Sequence, residues 1–523
     1  RLVWDAVDRL SATQRAAVTL YYREGLSCQE IAEVMDLPAA TVKSHLHRGR
    51  AKLIAHPRYN HRGPTLEYGS GLDAGRPTMT TTTVPRSSAA ETRRAIWNTI
   101  RGSSGNLVEW YDVYVYTVFA TYFEGQFFDE SEKNSTVYVY AIFAITFVMR
   151  PVGSWFFGRF ADRRGRRAAL TVSVSLMALC SLVIALVPSQ AVIGMAAQII
   201  LIVARLVQGF ATGGEYGTSA TYMSEAATRE RRGFFSSFQY VTLVGGHVLA
   251  QFTLLILQSV LTDQQLREFG WRIAFAIGGV AAVVVFWLRR TMDESLSPEV
   301  IEATKAGKDP AAGSMRTLFT DYWRPLLLCF LITLGGTVAF YTYSVNAPAI
   351  VKTAYKGEGM TATWINLSGL IFLMLLQPVG GLISDRIGRK PMLVFFGVGG
   401  LVWTYVLITF LPESRSPLVS FALVAVSYVI LTGYTSINAL VKSELFPAQV
   451  RALGVGVGYA LANSIFGGTA PLIYQAAKEQ GQVPLFIGYV TVCIAVSLAV
   501  YVFCLRNKAQ TYLDRERGSA FGS

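Results

Sequence analysis

Five ionisable side chains sit inside stretches that are otherwise apolar: Glu109, Asp112, Arg150, Arg205 and Glu215. A charge in hydrocarbon is costly and marks a functional position by default. Glu109 and Asp112 are three apart, hence on one face of a helix. Arg205, Gln208, Thr212, Glu215, Ser219 and Tyr222 follow steps of three and four, which makes one polar stripe. Two guanidinium forks suit an anion carrying two carboxylates. Burial and a nearby arginine act oppositely on a carboxyl, so a carboxyl beside such a pair can be poised to exchange a proton. The pattern therefore predicts a site for a small organic anion coupled to H+. Arg150 and Arg205 are the expected cationic pair, with Tyr116, Gln208 and Asn463 as polar lining and Lys442 as a third cation. Asp112 is the expected proton carrier, with Glu109 or Glu215 as the alternative. The competing reading is a structural network that neutralises itself.

These side chains need helices to hold them. The chain is 52% hydrophobic and 15% charged, and apolar stretches recur from about residue 100 onward. About 20 apolar residues cover the hydrocarbon core as a helix, and lipid leaves no partner for an unpaired backbone. The stretches fall near 102–122, 136–157, 168–187, 194–222, 234–257, 272–289, 325–347, 362–383, 391–411, 417–440, 450–474 and 484–505. They predict an all-α membrane protein with twelve transmembrane helices. Tyr111, Tyr116, Tyr341, Tyr343 and Asn346 are further candidates for lining or packing.

Lys and Arg cluster in alternate breaks, as in "GRFADRRGRR" (158–167) and "GLISDRIGRK" (381–390). The arginine-rich side is expected to be cytoplasmic, with both termini on it. The net charge of +13 is thus largely topological and gives no reason to invoke nucleic acid for residues 100–523. The two segments are also copies. Gly158, Asp162, Gly165, Arg166 and Arg167 match Gly381, Asp385, Gly388, Arg389 and Lys390, and "SEAATRERRGFF" (224–235) matches "SELFPAQVRALG" (443–454). Two copies in one orientation predict two parallel six-helix repeats. A helix is expected to end before Asp162. The carboxylate could then pair with arginines or with a neighbouring helix end, so that Gly158, Asp162, Arg166, Asp385 and Arg389 form a conformational latch.

"SSGNLVEWYDVYVY" (103–116), "FVMRPVGSWFFGRFADRRGRR" (147–167), "RLVQGFATGGEYGTSATYMSE" (205–225), "FQYVTLVGG" (238–246) and "ELFPAQVRALGVG" (444–456) resemble the metabolite:proton symporter family of the major facilitator superfamily. The resemblance spans about 91–506 and is strongest to members that carry α-ketoglutarate. It implies alternating access and proton-driven uptake of small organic acids at a bacterial inner membrane, by a monomer. Relatives carry shikimate, citrate, or proline and betaine, and these cargoes stay open. His247 is outside the family pattern and is given no role. The cysteines lack motif spacing, so no disulfide framework, metal site or cofactor is expected, and no cleavable signal peptide is seen.

Residues 1–78 differ in character. "LSATQRAAVTLYYREGLSCQEIAEVMDLPAATVKSHLHRGRAKL" (10–53) has an apolar face at Ile31, Val34 and Met35, a break at "DLPA", and a second face begun by Val42 and Leu46. This predicts a helix-turn-helix. The string resembles region four of extracytoplasmic-function sigma factors. That resemblance would turn Thr41, Lys43, Ser44, His47, Arg48 and Arg50 toward DNA, with RNA polymerase as a further partner. The chain opens with Arg1, and Met79 begins a polar stretch that suits the start of a membrane carrier. Residues 1–78 are therefore expected to derive from an adjacent reading frame or a misplaced boundary. The rival expectation is a membrane-tethered DNA-binding regulator. The expected organisation is a helix-turn-helix (1–55), a linker and polar tail (56–95), a six-helix bundle (96–292), a loop (293–322), a second bundle (323–506) and a tail (507–523).

Overall fold

The computed structural model describes residues 10–22, 28–38, 41–42, 44–46, 48, 89–128, 135–296, 298–305, 311–355, 359–505, 507 and 511–514. The chain divides into two units, Arg1–Pro85 and Arg86–Ser523. Lys43, His47, Arg50 and Met79 lie outside the described residues.

In the first unit, α1 (Ala12–Tyr22) packs against α2 (Cys28–Met35). Ala17, Val18, Ile31 and Val42 are buried, but Val34 is exposed, so the expected apolar face is narrower than Ile31, Val34 and Met35. The break is a helix C-cap. Asp36 takes a positive φ of 49°, and the Leu37 amide donates back to the Ala32 carbonyl at 3.0 Å, the Schellman arrangement. The next turn starts at Pro38, whose carbonyl accepts from the Thr41 and Val42 amides. Thr41 and Ser44 are half-buried and Arg48 is exposed.

The second unit is a helical bundle. Its long helices are α3 (Ala89–Val118), α4 (Ser135–Arg164), α5 (Arg166–Leu186), α6 (Met195–Ala226), α7 (Arg232–Val260) and α8 (Trp271–Arg290). After a loop come α9 (Trp323–Tyr341), α10 (Gly359–Ile387), α11 (Arg389–Phe410), α12 (Pro417–Thr435), α13 (Arg451–Ala462) and α14 (Val483–Phe503). Three run on through further turns: α9 through Ala347–Ala354, α12 through Asn438–Ser443 and α13 through Asn463–Gly467 and Ala470–Glu479.

Among the described residues, nine helical segments are long and apolar enough to cross a membrane. The other three long segments are α3, α4 and the broken α13. Polarity explains α3, which carries Glu109 and Asp112. Large apolar side chains such as Leu186, Leu418 and Phe503 face outward, which suits lipid and would be poorly tolerated in water.

The halves meet along α4 with α13 and α7 with α10. Small residues permit the approach. A Cβ on Gly158 would stand 2.6 Å from the Leu453 Cα, and one on Gly381 would stand 2.5 Å from the Gly233 carbonyl oxygen. On α6, Gly209 and Gly213 face the α4 backbone, and Gly217 faces Gly456 of α13, as close glycine packing requires.

Candidate functional site

The polar stripe of α6 is buried throughout, and its rungs belong to different groups. At Asp112, Oδ1 accepts from Ser181 Oγ at 2.6 Å and Oδ2 from Gln208 Nε2 at 2.7 Å. Arg205 Nη1 lies 3.6 Å from Asp112 Oδ2 and donates to Gln208 Oε1 at 2.8 Å. The guanidinium is 4.1 Å from the Tyr116 ring centroid. Four expected site residues, Asp112, Arg205, Gln208 and Tyr116, thus form one cluster between α3, α5 and α6.

Glu215 belongs to a different group. It accepts from Ser173 Oγ at 2.8 Å and from both terminal nitrogens of Arg289. Arg289 also donates to the Leu170 and Gly102 carbonyls, and the room for its guanidinium exists because Gly105 has no side chain. At a helix end, "RR" (289–290) reads as topological charge, so sequence reasoning missed this partner. Helical phase was the available signal: Gly278, Ala282, Val285 and Arg289 are buried on one face of α8.

Arg150 and Glu109 share a narrow central cavity, lined also by Trp110, Thr212, Gly213, Tyr216, Tyr459 and Ala460. The Arg150 guanidinium lies 4.0 Å from the Phe147 ring centroid and 5.5 Å from that of Trp110. It makes no ion pair among the described residues, and Glu109 Oε2 is buried without a hydrogen-bond partner. Asn463 is buried where α13 is interrupted, and Gly467 fits against both it and Tyr341. Tyr111 donates to the Ala274 carbonyl and Tyr343 pairs with Thr404, so both serve packing. Tyr216 and Tyr459, stacked at 3.4 Å between centroids, were not singled out from the sequence. Aromatic residues on apolar helices carry no signal that separates lining from packing.

The repeated glycine-aspartate-arginine segments form two clusters on one face. α4 continues past Asp162 to Arg164, and the turn falls at Gly165, with φ +102°; its copy Gly388 has φ +100°. That conformation favours glycine. The expected helix end before Asp162 is therefore displaced by one turn.

In the first cluster, Asp162 accepts from the Ala452 and Leu453 amides, each at 3.0 Å, and from Arg166 Nη1 at 2.7 Å. A carboxylate thus caps the N-terminus of α13, where the helix dipole favours negative charge. Arg166 and Arg451 converge on Glu225 at 3.2 and 2.7 Å. In the second cluster, Asp385 accepts from the Gly233 and Phe234 amides of α7 at 2.7 and 3.0 Å, and from Arg389 at 3.2 Å. Each carboxylate therefore reaches the other half of the bundle.

The comparisons agree with this architecture. Residues 98–517 match the family model described as "Sugar (and other) transporter". The chain is 42% identical over 429 residues to the α-ketoglutarate permease of Escherichia coli (strain K12), covering 82% of this chain and 98% of that one. It is 31% identical to the citrate-proton symporter of Klebsiella pneumoniae, covering 73% of this chain and 85% of the relative. Among solved structures, the major facilitator superfamily proton:xylose symporter XylE superposes with a TM-score of 0.67 at 18% identity, covering 82% of this chain and 99% of that chain. The chain belongs to the sugar (and other) transporter family and has the major facilitator fold. Residues 1–53 match a second model, "Sigma-70, region 4".

Proposed function

We propose that the chain is a proton-coupled symporter that imports α-ketoglutarate by alternating access, with twelve spanning helices in two six-helix repeats. The similarity to the Escherichia coli permease over 82% of the chain carries the choice of cargo. The site supports it: Arg150, which makes no ion pair among the described residues, stands in a central cavity between the halves. Arg150 holds one carboxylate of the dianion. Arg205, expected to hold the other, is instead committed to Asp112.

Asp112 is the proton carrier in this reading. Protonation removes the charge that holds Arg205 and loosens α3 from α6. Glu109 is the second candidate, because its Oε2 lies unpartnered beside the same cavity as Arg150. The arginine-rich face, closed by both carboxylate caps, is cytoplasmic under the positive-inside rule. Opening that face breaks both caps and releases cargo and proton inward.

The test is uptake of labelled α-ketoglutarate into proteoliposomes with and without an inward proton gradient. Gradient-driven accumulation is expected for the native chain. Asp112→Asn is expected to abolish accumulation while leaving counterflow exchange. Full pH-driven accumulation by Asp112→Asn with its loss in Glu109→Gln would move the carrier role to Glu109. Absence of α-ketoglutarate uptake would sink the cargo assignment.

For residues 1–53 the second reading is a DNA-binding helix-turn-helix with Thr41, Lys43, Ser44, His47, Arg48 and Arg50 on DNA. The Schellman break after α2 and the family match support it. Binding of promoter DNA by the full chain in detergent, lost on Arg48→Ala, tests it.

A further inference from the structure

Lys442 is fully buried at the end of the segment that continues α12. Among the described residues its ammonium meets only neutral oxygens: Asn438 Oδ1 at 2.6 Å, the Tyr216 hydroxyl at 3.2 Å and the Tyr434 hydroxyl at 3.3 Å. Three tyrosine rings surround it, with centroids 4.6 Å (Tyr459), 5.2 Å (Tyr216) and 5.6 Å (Tyr434) away. Burying an ammonium without a counter-charge is expensive, and rings and hydroxyls repay only part of the cost. Every other large buried cation described above has a carboxylate, except Arg150.

The two exceptions flank the same wall. Tyr216 and Tyr459 line the cavity on the Arg150 side and touch Lys442 on the other. Tyr216 comes from the first half of the bundle and Lys442 from the second. The Tyr216 hydroxyl also donates to Asn438 Oδ1 at 2.5 Å, so this one side chain ties the lysine site to α6.

We propose that Lys442 is the second cationic anchor of the transport site, taking the far carboxylate of a dicarboxylate whose near carboxylate is on Arg150, with Tyr216 as the movable wall between them. This rests on the dicarboxylate reading above. It supplies what that reading lacked once Arg205 was found on Asp112. It also joins the halves through the cargo: a dianion held by α4 and by the end of α12 favours closure around itself. A one-carboxylate acid reaches only one anchor.

The experiment compares α-ketoglutarate with 2-oxobutyrate, which keeps the keto acid and lacks the far carboxylate. The full chain is reconstituted, and α-ketoglutarate counterflow is measured with 2-oxobutyrate as competitor. Losing one partner of a charged hydrogen bond weakens binding by about 10- to 100-fold. Lys442→Met is therefore expected to raise the half-saturating α-ketoglutarate concentration by that factor. The 2-oxobutyrate inhibition constant should stay within about twofold, below the effect of a lost hydrogen bond. The rise in melting temperature that α-ketoglutarate gives the native protein should vanish in Lys442→Met. Equal weakening of both acids, or of neither, overturns the proposal while leaving the dicarboxylate reading intact. A native chain that does not transport α-ketoglutarate overturns both. If Lys442→Met fails to fold, Tyr216→Phe decides. It keeps the lysine, and selective weakening toward α-ketoglutarate supports the proposal, whereas equal effects on both acids overturn it.

Discussion

The two carboxylate caps are built from copied sequence, yet they are not equal. In the first, Asp162 and Arg166 are fully buried, and Arg451 crosses from the second half to Glu225. In the second, Asp385 keeps its two backbone bonds, but Arg389 is partly exposed and lies 3.7 Å from Glu444. The copy of Arg451 is Arg232, and it does not form the matching bond. It is taken by the C-terminal segment, donating to Asp514 Oδ1 at 2.6 Å and to the Leu513 carbonyl at 3.1 Å. In the first cap the segment after α8 completes the cluster, Glu294 accepting from the Arg166 amide at 2.8 Å and Ser295 donating to Glu225 at 2.6 Å, whereas in the second the segment after α14 draws Arg232 away. Duplicated residues set the shared geometry, and the different side chains in the segments after α8 and α14 set the difference.

The sharpest way to break the comparison is Asp162→Ala. It takes one of its two carboxylates from the buried Arg166 and leaves the Ala452 and Leu453 amides without an acceptor, an expected loss of about 3–5 kcal/mol. Melting in detergent should fall by the largest margin of any cap variant, and gradient-driven uptake should be lost. Asp385→Ala removes the equivalent bonds at a wetter site, with an expected cost of about 1.5–3 kcal/mol. Uptake should be reduced rather than lost. Equal losses for the two variants would show that burial does not set the rank.

Asp514→Asn should cost less still, about 1 kcal/mol or under, since the pair is partly solvated. Crosslinking of cysteines placed at the ends of α7 and α10 would show whether Arg232, once free, turns to Glu444 and tightens the second cap. The smallest effect is on pH. Burial alone would raise the Asp514 carboxyl, but the Thr511 amide and the Arg232 guanidinium outweigh it and hold it below the ordinary carboxylate range. The folded value is depressed, so the tail contact is complete above the ordinary carboxylate value. It should be lost as pH falls through the depressed one. Protease protection of the tail, followed from pH 7 to acid, should drop in the native chain but start low in Asp514→Asn.

Much of this was legible in the sequence because its physical basis is local. Hydrocarbon thickness fixes helix length, so the apolar stretches located the helices. Helical phase fixed the α6 stripe. The copied segments announced two equivalent caps, and "SEAATRERRGFF" with "SELFPAQVRALG" held both their targets and their acids. Partner choice was not legible. Glu215 looked like a proton carrier until Arg289 was found on it, and Arg205 looked like a substrate anchor until Asp112 was found beside it.

Reading along the chain is enough to know which side chains are charged within apolar helices, how they are phased and that the unit occurs twice. Periodicity and hydropathy depend only on neighbours along the chain. Packing decided which cation meets which carboxylate, that Arg150 and Lys442 form no ion pair among the described residues, and that the tail claims Arg232. A charge pair depends on distances of a few ångströms between helices far apart in sequence, and only packing sets those.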